Sequence, residues 1–363
     1  MYKLLKFLKF KYLIIISLLC VIISFKFLFL FLFLIFLKIY LNFKTNIYLS
    51  ISYIFLSLLL IDIIAPYSKN EDSQYYIESN IDYAINENYG YHPKINKIFE
   101  EKFYKNQSLF KKINYTVNNY GHRISSYVDG VNDCLLFHGG SIIFGQSIND
   151  NETLSNRTFQ KLNNNFLVFN FGFNGYGPHQ FLAKIENNYM EELNMCNNLL
   201  VIYLYIEDHI GRVAGKRSWG DKSPRYIFHK NRLTYKGFFS DYPYKLIMKI
   251  RKNIRNSFTI SKIINTETTD LKDEQLFIEL IDSIEQKISS KFNQVNFLYI
   301  IWQIEKNKNN FTYQKLKQRN SIEIDTLNIA EKYKKNGIPG DNHPTKEFYE
   351  ILSKEVVKFI DNF

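Results

Sequence analysis

The chain has 363 residues, 46% hydrophobic and 22% charged, enough for a sizeable core, and this excludes global disorder and collagen-like or low-complexity classes. Three cysteines without a CxxC pair exclude a disulfide framework and a cysteine-based zinc site. The formal charge is +11, but residues 1–70 hold eight lysines against one acid, Asp62, so the basic excess belongs to an apolar N-terminal segment and nucleic acid is not an expected partner. The abundance of Lys, Asn, Ile, Phe and Tyr reads as a coding bias, so single lysines and asparagines carry little weight.

Residues 12–37 are almost wholly apolar, interrupted by Lys26, and a second apolar run covers 47–65 with Asp62 near its end. A helix needs roughly 20 apolar residues to span the hydrocarbon core, which the second run satisfies. The first run reads either as one long tilted helix with Lys26 snorkelling or as two short helices broken near Lys26. No small-residue cleavage site follows it, and Leu19 before Cys20 argues against lipoprotein processing. Lys3, Lys6, Lys9 and Lys11 favour an N-terminus inside. Two spans would return the rest of the chain to the cytoplasm, whereas one or three would place it outside. The flank Ser68–Asp72 lacks a positive excess, which favours an extracytoplasmic main domain. Residues 1–66 are therefore taken as a transmembrane anchor.

Residues 67–120 are polar, rich in Tyr and Asn and without clear periodicity, and read as a linker with an irregular extension. A main domain is expected over 121–363. It opens on short apolar runs alternating with amphipathic stretches. Strands are expected at Cys134–Phe137, Phe166–Phe171, Leu199–Ile206, Val295–Trp302 and Ser321–Ile324, and helices at 152–163, 179–194, 271–290 and 344–361. Continuous apolar runs suit strands covered on both faces, and the alternation predicts an α/β fold with a doubly wound parallel sheet of flavodoxin-like order. Ligands then sit at the carboxyl ends of the strands. The stretch 211–262 reads as a basic, aromatic insertion. Cys134 and Cys196 fall at the amino ends of strands that this order makes neighbours. They are expected as two buried thiols, with a disulfide open to them if the domain is extracytoplasmic.

Three loops carry candidate chemistry. His138-Gly139-Gly140-Ser141 follows the first strand, where the glycines permit a sharp turn and Ser141 reads as a nucleophile or as a helix cap. Asn170-Phe171-Gly172-Phe173-Asn174-Gly175-Tyr176-Gly177-Pro178 follows the second and reads as a backbone-donor surface or a plain βα turn. Gly340-Asp341-Asn342-His343-Pro344 precedes the last helix, where His343 can act as a base oriented by Asp341.

The order Gly-Gly-Ser, Asn-Phe-Gly and Asp-Asn-His resembles the SGNH/GDSL hydrolase superfamily over roughly residues 115–363. Tyr115–Arg123 and the run from Phe144-Gly145 to Asp150-Asn151-Glu152-Thr153 add to the likeness. The resemblance implies a triad of Ser141, His343 and Asp341. It also implies an oxyanion hole from the N–H groups of Ser141 and Gly172, with the Asn174 amide available. Two departures stand out: Gly140 replaces the Asp often found before the serine, and Glu207-Asp208-His209 stands where an asparagine normally donates to the oxyanion.

Rival motifs are incomplete. Ile143 occupies the last glycine position of a nucleophile elbow, and Gly211–Arg217 only imitates a phosphate loop. His138, His179 and His209, with Glu207 and Asp208, fall near strand ends but without metal-ligand spacing, so no metal is expected. The resemblance thus implies a membrane-anchored ester hydrolase or acyltransferase needing no cofactor and acting on an O-acylated small molecule, glycan or lipid. The alternative is a catalytically silent domain of the same fold that binds acylated glycans or a protein partner.

Overall fold

A computed structural model describes residues 15–17, 19–68, 75–163, 165–217, 220–303, 310–325 and 343–361. Two compact units divide it: Met1–Ser73 with Ser240–Thr268, and Gln74–Phe239 with Thr269–Phe363.

In the first unit, helices α1 (Phe25–Phe43) and α2 (Asn46–Ser68) are joined at Lys44, which turns in the left-handed region at φ 54°. Among the described residues these are the two helices long and apolar enough to cross a membrane, over 19 and 20 residues. The first apolar run is broken: residues 19–23 are helical, Ser24 is extended, and its side chain caps the new helix by accepting from Lys26 N. The break frees carbonyls, and the Asn253 amide donates to those of Val21 and Ile22 at 2.8 and 2.7 Å. Asn253 lies on α7 (Tyr244–Asn256), which is followed by α8 (Phe258–Ile263). The fully buried Asp62 carboxylate accepts from Ser257 Oγ at 2.6 Å and Thr259 N at 2.8 Å, so the acid inside the second apolar run holds the start of α8. Part of the 211–262 insertion thus belongs with the apolar helices rather than with the sheet.

The second unit is built on a five-stranded sheet, ordered β12-β11-β8-β6-β7. Its strands are β6 (Asp133–His138), β7 (Leu167–Asn170), β8 (Asn198–Tyr205), β11 (Gln294–Gln303) and β12 (Ser321–Asp325). All neighbours are parallel. The first strand lies between the second and third, which is the flavodoxin-like order. Alternation shows how the apolar runs are used. Cys134, Leu136, Val201, Tyr203, Tyr299 and Ile301 face one core, while Leu135, Phe137, Ile202, Leu204, Leu298 and Ile300 face the other. The first core is closed by α5 (Pro178–Glu186) and α9 (Leu271–Ser289), the second by α4 (Leu154–Lys161) and α11 (Lys346–Asp361). Local signals set these helices: Thr153 caps α4, Pro178 opens α5, and Asp270 caps α9 by accepting from Lys272 and Asp273.

Cys134 and Cys196 are joined in a disulfide with Cα atoms 5.7 Å apart, at the amino ends of adjacent β6 and β8. The expectation of two free thiols is therefore replaced by the bonded pair.

Residues 75–117, which show no clear periodicity in sequence, form strands β1 (Tyr75–Ser79), β2 (Tyr83–Asn86), β3 (Gly90–Pro93), β4 (Lys97–Lys105) and β5 (Ser108–Val117). They pair as the antiparallel sheet β1-β4-β5 and the hairpin β2-β3. Along β4 the inward positions are Phe99, Glu101 and Phe103, so a carboxylate interrupts the apolar alternation. It is accommodated by the Tyr115 and Ser147 hydroxyls, both of which donate to it. The inner face of this sheet meets Phe144 and Phe173, from the loops that carry the candidate site.

Candidate active site

Ser141 opens the four-residue helix α3 (Ser141–Phe144) directly beyond β6. Gly139 turns the chain at φ 152°, and a Cβ there would come within 2.9 Å of Ile143. The N–H groups of Gly145 and Gln146 close this single turn on Ser141 O and Ile142 O, and groups from elsewhere reinforce its carbonyls. Tyr349 Oη donates to Ile142 O at 2.7 Å, and Asn170 Nδ2 donates to Ile143 O at 2.9 Å. The buried Arg123 guanidinium donates to Phe144 O at 2.7 Å, Gly145 O at 2.5 Å and Ile148 O at 2.7 Å, and pairs with Asp150 at 2.7 Å. The rings of Tyr115 and Phe144 lie against it. Arg123 therefore works as a fastener beneath the serine turn, a role not read from the sequence.

His343 Nε2 lies 2.7 Å from Ser141 Oγ. The two sequence-predicted residues come together at the carboxyl ends of the strands and line one cavity of about 640 Å³, with Tyr83 and Tyr91 from the β2–β3 hairpin on its wall. Asp341, Asn342 and Gly340 lie outside the described residues.

The second loop differs from expectation in one respect. Gly172 packs tightly on α3: a Cβ there would lie 2.5 Å from Phe144 N. Its N–H, however, donates to Asn170 Oδ1 at 3.1 Å, so it is not free to serve an oxyanion. Asn174 and Gly175 do line the cavity with Ser141 and His343. Gly175 takes φ 77°, a conformation suited to glycine. Among the described residues no acceptor takes the N–H of Ser141 or Gly175. Asn174 O accepts from Tyr91 Oη at 2.8 Å, which ties this loop to the hairpin.

The third loop begins α6 (Asp208–Val213). Glu207 and Asp208 do not converge with the histidines on a metal position; among the described residues there is no cluster of three or more metal-type ligands. Burial pushes His138 and His179 down to about 3, so both imidazoles are neutral. His138 is sandwiched between Phe181 and Tyr203.

A second buried polar cluster lies away from Ser141. Lys184 Nζ donates to His122 Nε2 at 2.8 Å, so His122 Nδ1 carries the proton that it gives to Glu192. Asn118 Nδ2 donates to the other Glu192 oxygen at 2.5 Å. Burial lowers Lys184 to about 7 and His122 to about 4. This network joins α5, the segment before β6 and the approach to β8, and its polar atoms are mutually satisfied.

No protein-family model matches the chain, and no curated protein matches it. Solved structures with a similar course include an alpha/beta hydrolase enzyme from the metagenome of Lake Arreo, Spain (9% identity, 63% of this chain, 95% of that one, TM-score 0.34). Another is a putative lipolytic protein of the G-D-S-L family from Desulfitobacterium hafniense DCB-2 (10% identity, 62% and 99%, TM-score 0.30). A third is a carbohydrate esterase (8% identity, 80% and 97%, TM-score 0.34).

Proposed function

We propose that the chain is a membrane-anchored SGNH-type serine ester hydrolase or acyltransferase acting on an O-acyl ester. The observation that carries this reading is the 2.7 Å approach of His343 Nε2 to Ser141 Oγ at the mouth of a doubly wound sheet. Ser141 Oγ attacks the acyl carbon while His343 Nε2 takes its proton. The carbon–oxygen bond to the alcohol breaks, and His343 returns the proton to the departing oxygen. Water, or a second alcohol, then gives its proton to His343 and attacks the acyl-serine, and Ser141 Oγ leaves reprotonated. Asp341, two residues before His343, is the proposed orienting acid. The free N–H groups of Ser141 and Gly175 are the backbone donors proposed for the oxyanion, with the Asn174 side chain beside them. Gly175 takes the place first given to Gly172. No cofactor takes part in these steps.

The Cys134–Cys196 disulfide supports an oxidising compartment, hence an extracytoplasmic catalytic unit; with two spans this puts the N-terminus on the same side, against the orientation its lysines favour. An O-acylated envelope glycan or lipid is the proposed substrate class, with Tyr83 and Tyr91 offering ring faces to it. A fluorophosphonate probe tests the reading: the full chain in detergent is expected to be labelled and to cleave a short activated ester, and Ser141→Ala to lose both. Turnover that survives Ser141→Ala would remove the assignment.

A further inference from the structure

The two departures from the family pattern, at residue 140 and at residues 207–209, meet in space. Gly140 has no side chain, and the volume a Cβ would fill is already occupied. Arg212 Nη1 lies 2.6 Å from that position, His209 Nε2 3.1 Å and Tyr176 O 3.3 Å. Two nitrogen donors from α6 thus converge on the bare face of the residue preceding the nucleophile. Any side chain at 140 would displace them.

Both donors are held from behind. Arg212 Nε donates to Asp208 Oδ2 at 2.7 Å, and Nη1 donates to Tyr176 O at 2.6 Å, beside Gly175. Those bonds fix the plane of the guanidinium and leave Nη2 without a partner among the described residues. Asp208 also pairs with Arg217, so one carboxylate faces two guanidinium groups. Arg212 is nearly buried, yet it lines the same cavity as Ser141 and His343. His209 is fixed in one tautomer. Tyr203 Oη lies 2.5 Å from His209 Nδ1 and has no other acceptor among the described residues, so the phenol satisfies its proton by donating to Nδ1. The imidazole proton therefore sits on Nε2. That N–H is buried and has no partner among the described residues, an arrangement that costs free energy unless something is to be met there. Burial and the neighbouring Arg212 keep His209 neutral, so it does not add a second charge.

We propose that Arg212 is a catalytic electrophile for Ser141, its guanidinium stabilising the oxyanion of the tetrahedral intermediate, with the buried His209 packed behind Gly140 beside it. The loss of a side chain at Gly140 and the loss of an asparagine at 207–209 are then a single compensated change: the empty position makes room for a charged donor that reaches in from one helix turn later. The inference rests on the Ser141–His343 reading above.

The test uses the full chain in detergent with a short activated ester, a fluorophosphonate and phenylboronic acid, which forms an anionic tetrahedral adduct on a serine. Arg212→Ala is expected to lower kcat by about 10²–10³-fold with KM changed less than about threefold. Fluorophosphonate labelling should slow and boronate affinity fall by comparable factors. Arg212→Lys keeps the charge but not the fork and should recover part of the loss. Gly140→Ala, which leaves both donors in the chain but blocks their gap, should reproduce the loss and keep the variant assayable should Arg212→Ala unfold. Equal boronate affinity in wild type and Arg212→Ala, or a loss confined to KM, overturns the inference while the Ser–His assignment stands. A wild-type chain that neither labels at Ser141 nor turns over any ester overturns both.

Discussion

The phenol of Tyr349 donates to the carbonyl of Ile142, and that one bond ties the helix that follows His343 to the turn that carries Ser141. His343 and Ser141 are 202 positions apart in sequence, so their 2.7 Å spacing depends on such cross-links. Tyr349→Phe removes the donor and leaves a buried carbonyl short of one bond. It is expected to cost about 1 kcal/mol in thermal unfolding and to lower ester turnover several-fold more than it alters KM.

Arg123 serves four carbonyls and one carboxylate from a fully enclosed position. Arg123→Met strands these acceptors and leaves Asp150 without its cation, with only the Thr116 N–H, among the described residues, still donating to it. The expected loss is about 3–5 kcal/mol, read as a fall in Tm. A variant that keeps the wild-type Tm would show the carbonyls to be satisfied some other way.

Under the proposed Ser141–His343 mechanism, His343→Ala leaves the serine without a proton acceptor. Ester turnover is expected to drop by about three orders of magnitude or more, while the folded state, judged by Tm, changes little because His343 is only half-buried. Steady-state kinetics on a short activated ester provide the check.

Four buried imidazoles set the acid limit of the fold. Burial lowers His122 to about 4, His138 and His179 to about 3, and His209 further below its ordinary value. Each has a folded value below the unfolded one near 6.5, so between the two the unfolded chain binds more protons. Their contribution is fully present above about pH 6.5 and is lost as pH falls through about 4, at about 1.4 kcal/mol per unit for each group. Thermal unfolding between pH 7.5 and 4.5 should show Tm falling steeply below about 6. A flat profile would mean that these side chains titrate in the folded state. Lys184, lowered to about 7, adds a rise in stability from pH 7 toward 10 by the same sign rule.

Cys134 and Cys196 close a 62-residue interval. Replacing both with serine is expected to cost about 2–4 kcal/mol. Before reduction only Cys20 should react with a maleimide under denaturing conditions, and all three after it. Labelling of all three without reductant would place the unit in a reducing compartment.

The sheet was readable because strands such as Cys134–Phe137 and Leu199–Ile206 are buried on both faces and so appear as unbroken apolar runs. The extension at 75–117 was not, because Glu101 occupies an inward position and is paid for by hydroxyls that a sequence pattern does not display. The approach of His343 to Ser141 follows the resemblance to the SGNH/GDSL pattern rather than either loop alone, each of which also reads as an ordinary turn. Gly172 and Gly175 lie three residues apart in one loop, and which N–H stays free depends on the side chain of Asn170. Arg212 and His209 were out of reach for a simpler reason: what brings them beside Ser141 is the missing Cβ of Gly140, although the two departures from the pattern the sequence resembles pointed to those positions.

The segment Ser240–Thr268 is encoded in the middle of the sheet-bearing unit's sequence yet packs with the apolar helices at the other end of the chain. A fragment trimmed at residue 73 to make it water-soluble would keep α7 and α8 while discarding their partners. Ser257 and Thr259 would lose Asp62, Asn253 would lose the carbonyls of Val21 and Ile22, and the apolar side chains of this pair of helices would face solvent. Such a fragment should aggregate even with its sheet intact. Preparing the catalytic unit in aqueous solution calls for two excisions, the N-terminal helices and this internal loop, with Phe239 rejoined to Thr269 through a short flexible bridge.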